Sequence, residues 1–332
     1  MMATLDLSAA LSVNERTEPL LDGTVSPEAI RLVATGVHPS EMFWRQLKFA
    51  EFDVSEMSIA SLMIATAQEP TPWVALPVFT SRNFFHTRVL VRTAAGIEKP
   101  EDLRGKRVGV AEYQQTAAVW SRGILKDEFG VDPSEIEWFM ERTPERSHGG
   151  VTGFTPPPGV RFRHISPDTD LGEMLLAGEL DALLVYLPVR NLVDRSRADL
   201  ARDPRARLLF PDPGAEGRRY YAKTGLYPIN HCIVVRRSLV ERHPWVVLNV
   251  YNAFLAAKEL VAERRNESLR PYWETGVLNG TTRDALAYDP MAYGVRAARP
   301  VLETIGRYLH EQGLTPRRVG LEEIFAPNTL DL

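Results

Sequence analysis

Short apolar runs alternate along the chain with longer stretches of helical period. Residues 29–35 (AIRLVAT), 52–57, 74–79, 89–92, 107–111, 181–186 and 229–236 read as strands. Gly36 and Pro39 close the first, and Ser40 caps a helix through Phe49 with Glu41 in its first turn. Ser58 caps a helix through Gln68, and a helix over 115–129 ends at Gly130. Asp170-x-x-Glu173 resembles a capping box for a helix through Gly178. Pro133, Pro144 and Pro156 to Pro158 mark a long irregular region, and beyond residue 236 the chain is mostly helical, around 244–265 and 290–311. No tandem repeat is visible. Strands alternating with helices predict an α/β fold with a mixed, mostly parallel sheet. In such sheets ligands gather where strands end and helices begin. The candidate junctions are therefore 37–40, Ser58, 80–86, 112–116 and 187–188.

Composition narrows the function. At about 150 residues per domain, the 332 residues suggest two domains. Lys+Arg 39 against Asp+Glu 43 leaves a net charge of −4, which gives no electrostatic footprint for nucleic acid. The one cysteine, Cys232, excludes an internal disulfide and a Cys-rich metal site, and it reads as a small buried apolar residue. The longest stretch without Asp, Glu, Lys or Arg, 147–160, is rich in Gly, Pro and Thr and reads as a loop, not a membrane span. The N-terminal stretch lacks the basic and apolar regions of a secretory signal, so a cytoplasmic location is expected. No Gly-x-x-x-x-Gly-Lys or Gly-x-Gly-x-x-Gly motif supports nucleotide chemistry, and no His-x-x-x-His or Glu-x-x-His pair supports a helix-borne metal site. A divalent ion is left one arrangement, convergence of His86, His231 and Glu112.

Longer motifs add a resemblance. Leu103-x-Gly105-Lys106-x-Val108-Gly109-Val110 and Gly178-Glu-Leu-Asp-Ala182 are similar to segments of the type II periplasmic-binding-protein fold, two lobes with a ligand cleft between them. More specific pieces resemble the 4,5-dihydroxyphthalate decarboxylase family. They are Phe52-Asp-Val-Ser-Glu-Met-Ser58, Pro77-x-Phe79-x-Ser81-Arg82-x-Phe84-x-His86, Val110-Ala-Glu112-Tyr113-Gln114-x-Thr116 and Tyr227-Pro-Ile-x-His231. His243-Pro-Trp245, Asp289-Pro-x-x-Tyr293-Gly294, His310-Glu-Gln-Gly-Leu314 and Glu323-x-Phe325-Ala-Pro327 continue the match, which runs from about residue 21 to 329. The resemblance implies a first lobe of residues 1–90 plus 232–332 and a second of 91–231. It also implies decarboxylation of 4,5-dihydroxyphthalate to protocatechuate without a cofactor, and a homo-oligomer. One departure stands out. Where the resemblance leads one to expect an Ala-Arg-x-Pro segment, the chain has Val185-Tyr186-Leu187-Pro188, and Leu187 cannot hold a carboxylate.

A phthalate needs donors and positive charge in a cleft. Arg82 is the expected carboxylate clamp, with Arg88 beside it and Ser81 in the same motif. Ser58, Gln115 and Thr116 sit at helix starts, where free N–H groups and the dipole favour an anion, though Ser58 and Thr116 also read as plain caps. Tyr113 and Phe84 or Phe85 can sandwich a ring or simply pack a core. Direct loss of carbon dioxide would leave an unstable aryl anion. Deprotonating the hydroxyl para to the carboxylate instead pushes electron density onto the carbon that bears it. An acid protonates that carbon, and carbon dioxide leaves as aromaticity returns. His86 is favoured as the acid, with His231 or Glu112 as the phenol partner. Glu112 is alternatively the partner of a nearby arginine, and His243 and His310 read as structural. A protein that binds a solute or senses a ligand on the same fold is the competing reading, but it needs no proton-transfer groups.

Overall fold

The computed structural model describes residues 4–332. Two sheets form the frame. In the first lobe, β1 (Leu5–Leu11), β2 (Ile30–Gly36), β3 (Val54–Ser58) and β4 (Trp73–Arg82) join one sheet. The second sheet holds β5 (Leu90–Arg92), β6 (Arg107–Val110), β7 (Glu137–Met140), β8 (Arg161–His164), β9 (Ala182–Leu184) and β10 (Ala206–Leu208). The chain then returns to the first sheet as β11 (Ile229–Arg236), giving orders β2-β1-β3-β11-β4 and β10-β5-β9-β6-β7-β8. β1, β2 and β3 run parallel, and β11 lies antiparallel between β3 and β4.

β11 shows why the first sheet is buried on both faces. Cys232 and Val234 enter one apolar cluster, with Met57, Phe79 and Trp120. Ile233 and Val235 enter the other, with Leu76, Val250 and Phe254. That is the two-residue alternation of a strand with a helical layer on each side. Cys232 is fully buried, and burial pushes its thiol far above the ordinary range.

The chain crosses between the lobes twice. It leaves β4 at Arg82, passes a short 3-10 turn, Phe85–Arg88, and enters β5. It comes back through the helix Pro213–Thr224 into β11. The C-terminal helix Val295–Glu311 then spans both lobes. Val301, Leu302, Ile305 and Leu309 pack in the first-lobe cluster. Tyr308 lies over Gly123 of the second-lobe helix Thr116–Phe129 and meets the Trp120 ring edge-on at 5.5 Å. A Cβ on residue 123 would come within 2.3 Å of the Tyr308 ring, so glycine is required there. The Tyr308 hydroxyl and Arg307 both donate to Asp127, at 2.9 and 2.7 Å.

Sequence reading missed β1, β7, β8 and the helix Pro213–Thr224. β8 is an edge strand, Arg-Phe-Arg-His, with no apolar alternation to reveal it. β7 lies inside the proline-marked stretch expected to be irregular.

Candidate active site

Two helices start at the cleft from opposite lobes, Ile59–Gln68 and Thr116–Phe129. Ser58 caps the first, its Oγ accepting the Ser61 N–H at 3.3 Å. The Ser58 and Thr116 hydroxyls are 2.8 Å apart, and Thr116 Oγ1 also accepts the Ala60 N–H at 3.1 Å. The two helix ends are therefore joined across the lobes. Their opening amides lack intrahelical partners, and their dipoles favour negative charge. Beside them lies a cavity of about 180 Å³. That is smaller than the roughly 300–1,000 Å³ of drug-sized pockets and suits a single-ring ligand. Ser58, Gln115, Thr116 and His231 line it, together with Phe85 and Leu187. His38, Phe43, Arg142, His148 and Asn230 line it as well.

β11 presents His231, and β3 places Glu56 behind it. His231 Nδ1 lies 3.0 Å from Glu56 Oε2. The fully buried Glu56 also accepts the Ser12 N–H and Oγ–H at 2.7 and 2.6 Å, and the Thr80 hydroxyl at 2.7 Å. Burial alone would raise the Glu56 carboxyl, but the bonds from His231, Ser12 and Thr80 outweigh it and hold the group below its usual value. An ionised Glu56 fixes the proton on His231 Nδ1 and makes Nε2 the working nitrogen. That atom accepts the Asn230 amide N–H at 2.8 Å, so in this arrangement the imidazole is neutral at Nε2. The Phe43 ring meets the imidazole edge-on at 4.7 Å.

A second buried network comes from the other lobe. Arg142 donates through Nε to Asp194 at 2.6 Å, and its Nη1 lies 3.9 Å from Glu112. Nη1 also approaches His148 Nε2 at 3.3 Å. Arginine only donates, so Nε2 accepts and the His148 proton sits on Nδ1, 2.9 Å from Ser61 Oγ. Burial, and then the Arg142 charge, drive His148 well below its ordinary value, so it is neutral. Burial works against both charges of the Arg142–Asp194 pair, yet mutual attraction raises the arginine and lowers the aspartate. Among the described residues Arg142 Nη2 has no hydrogen-bond partner. His38 is held near the Asn191 amide at 3.1 Å, and burial lowers its pKa.

Several expected site residues lie elsewhere. Arg82 does not line the cavity. Its Nη1 and Nη2 donate to the carbonyls of Tyr227 and Ala292, and burial lowers it to about 10. Ser81 pairs with His231 in the sheet register but does not reach the cavity. His86 is fully buried at the first crossing, bonded to Glu216 at 3.1 Å and flanked by the Phe84, Phe210 and Tyr220 rings. Tyr113 is second-lobe core, with the Arg122 guanidinium 3.7 Å over its ring and Trp138 edge-on at 5.5 Å. Glu112 stands behind the wall, accepting the His148 N–H at 2.8 Å, and burial raises its pKa despite Arg142. It does partner an arginine, but Arg142 rather than Arg82. His86, His231 and Glu112 thus do not converge. Among the described residues no three His, Cys, Asp or Glu side chains gather as a metal site.

Arg142, His148, His38 and Glu56 escaped the sequence reading. His38 lies in the 37–40 junction already singled out as a place for chemistry, and Glu56 two residues before Ser58. Nothing local marked Arg142 or His148.

The frame and cavity define a class, a two-lobed α/β fold of the periplasmic-binding-protein type whose cavity also carries a carboxylate-backed histidine. No family model matches the chain. It is 32% identical over 335 residues to the 4,5-dihydroxyphthalate decarboxylase of Comamonas testosteroni, covering 99% of each chain. It is 36% identical over 184 residues to the 4,5-dihydroxyphthalate decarboxylase of Pseudomonas putida, covering 55% of this chain and 71% of that one. The chain belongs to the 4,5-dihydroxyphthalate decarboxylase family and so to the carboxy-lyases. Its fold is similar to the alkanesulfonate-binding protein of Xanthomonas axonopodis pv. citri (TM-score 0.56, 15% identity, 98% of each chain). It is also similar to the periplasmic aliphatic sulphonate binding protein of Escherichia coli (0.55, 13%, 98% and 99%) and the desulfurization enzyme DSZB (0.52, 18%, 97% of each). No helix among the described residues is long and apolar enough to cross a membrane.

Proposed function

We propose that the chain converts 4,5-dihydroxyphthalate to protocatechuate in the cavity between the lobes, with His231 delivering the proton and no organic cofactor. The observation that carries this reading is the His231–Glu56 pair on the cavity wall. A buried carboxylate behind the imidazole orients it and offsets the charge that forms once Nε2 takes up a proton and gives up its bond from the Asn230 amide. Loss of the proton from the hydroxyl para to the departing group raises electron density on the carbon bearing the carboxylate. Nε2–H protonates that carbon, the carbon–carboxylate bond breaks, carbon dioxide leaves, and the phenol regains its proton. One proton is consumed overall, and the ring itself takes up the electron pair.

Holding the anion falls to Arg142 Nη2, the Ser58 and Thr116 hydroxyls and the two helix ends, in place of the arginine missing at Leu187. His38, at the start of the helix Pro39–Phe49 on the cavity wall, is the candidate acceptor for the phenol proton. A receptor for the same anion would need the helix ends and Arg142 but not the His231–Glu56 pair.

The test is to mix purified, chelator-treated protein with 4,5-dihydroxyphthalate and follow carbon dioxide and the aromatic product. Release of protocatechuate without added metal is expected. Tight binding without release would point to a receptor, and activity only on restoring a divalent ion would overturn the cofactor-free route.

A further inference from the structure

The inner cavity has a larger neighbour of about 960 Å³. The two share Phe85, Val185 and Leu187, so one thin wall separates them. Tyr186, Leu200, Leu208 and Pro211 make the outer cavity largely apolar. Two arginines also line it. Arg207 is engaged with the Ile97 carbonyl at 2.6 Å and Glu98 at 2.9 Å. Arg88 is exposed and, among the described residues, forms no hydrogen bond or ion pair. The lining carboxylate, Asp199, faces Arg202 at 3.5 Å. An aromatic face beside an uncompensated guanidinium suits an aromatic carboxylate.

The wall itself is under strain. Val185 has φ +59°, in the left-handed region that a β-branched residue rarely occupies. Such strain persists where the surroundings impose it and collects at sites that change state. The Ser58–Thr116 bond joins the two lobes beside the inner cavity.

We infer that the outer cavity is the first docking site of the aromatic acid anion, which then passes the Phe85–Val185–Leu187 wall into the inner cavity. This rests on the inner cavity being the reaction site. Arg88 draws the anion in and the apolar wall holds its ring. Because the charge lies at the mouth, its effect falls on association rather than on the chemical step, and salt screens it within about 8 Å at physiological ionic strength.

The test is stopped-flow association of 4,5-dihydroxyphthalate with the full chain, at low and high salt, for wild type, Arg88→Glu and Leu208→Trp. The expected result is a wild-type rate that falls with salt and an Arg88→Glu rate about tenfold lower at low salt, converging on wild type at high salt. Leu208→Trp, which fills the outer cavity, should slow association at both salts. Wild-type rates for both variants overturn the proposal. The readout is binding, so a wild-type protein that shows these effects but releases no carbon dioxide would keep the docking site and remove the decarboxylase reading. Normal turnover with unaltered variant rates would do the reverse.

Discussion

Two histidine–glutamate pairs stand at the two ends of the inter-lobe crossings, and they differ in what surrounds them. His86 Nε2 meets Glu216 at 3.1 Å, and His231 Nδ1 meets Glu56 at 3.0 Å. Glu216 also takes both forks of Arg219, at 2.7 and 2.8 Å. Burial would raise it, but Arg219 and then His86 bring it down to about 2. Its charge is already matched, and His86 is walled in by aromatic rings. Glu56 has only hydroxyls, a backbone amide and His231 for company, and that histidine faces a cavity. Similar contact distances therefore leave one histidine enclosed in a core and the other facing a cavity, where the proposed reaction asks it to carry a proton. Access and the carboxylate's remaining partners decide which.

The largest test of that contrast is His231→Asn. It should lower kcat by about 10²–10⁴, the usual worth of a general acid, with thermal stability near wild type by calorimetry. Next, Glu56→Gln should lower kcat less than His231→Asn while leaving KM near wild type, because the imidazole keeps its place but loses the carboxylate behind it. An unchanged kcat would mean that Glu56 only packs. Arg142→Lys should raise KM about tenfold, since one ammonium cannot keep both the Asp194 bond and a free donor in the cavity. His86→Ala should leave kcat per folded molecule intact and cost about 1–3 kcal/mol in denaturant titration, as a buried partner of Glu216 is lost. Selective loss of chemistry in that variant would erase the contrast.

The smallest expected effect is on stability against pH. His148 in the folded chain holds a proton far less readily than in the unfolded chain, where its value is 6.5. The unfolded state therefore takes up more protons as pH falls. Stability is full above about 6.5 and declines below it. Glu56 and Asp194, lowered in the fold, add losses only further down, near the ordinary carboxylate range. His148→Gln should flatten the slope between pH 6.5 and 5 in thermal melts.

Legibility followed the same division between pattern and partner. Strands with apolar runs are readable, as are the places of Ser58, a helix cap, and of Thr116 and His231, because strand ends and helix starts announce themselves locally, although the cap before Thr116 is Gln115. Arg82 and Tyr113 were misjudged because a long side chain's partners are set by segments far away: Arg82 bonds residues 227 and 292. Arg142 is hidden for the same reason. It is 1% exposed, yet a buried arginine looks no different in sequence from a surface one until Asp194 is seen beside it.

The helix Val295–Glu311 has a further consequence. It belongs to the first lobe by its apolar face and is bolted to Asp127 and Gly123 of the second. Binding proteins of two lobes commonly trap a ligand by hinge closure. Here the strap makes wide gaping costly, because opening would break the Arg307 and Tyr308 bonds to Asp127 and the packing over Gly123. Scattering with and without ligand should then show little compaction. On the docking route inferred above, reactant and carbon dioxide pass by side-wall breathing, on the nanosecond to microsecond scale of loops rather than the slower swing of domains.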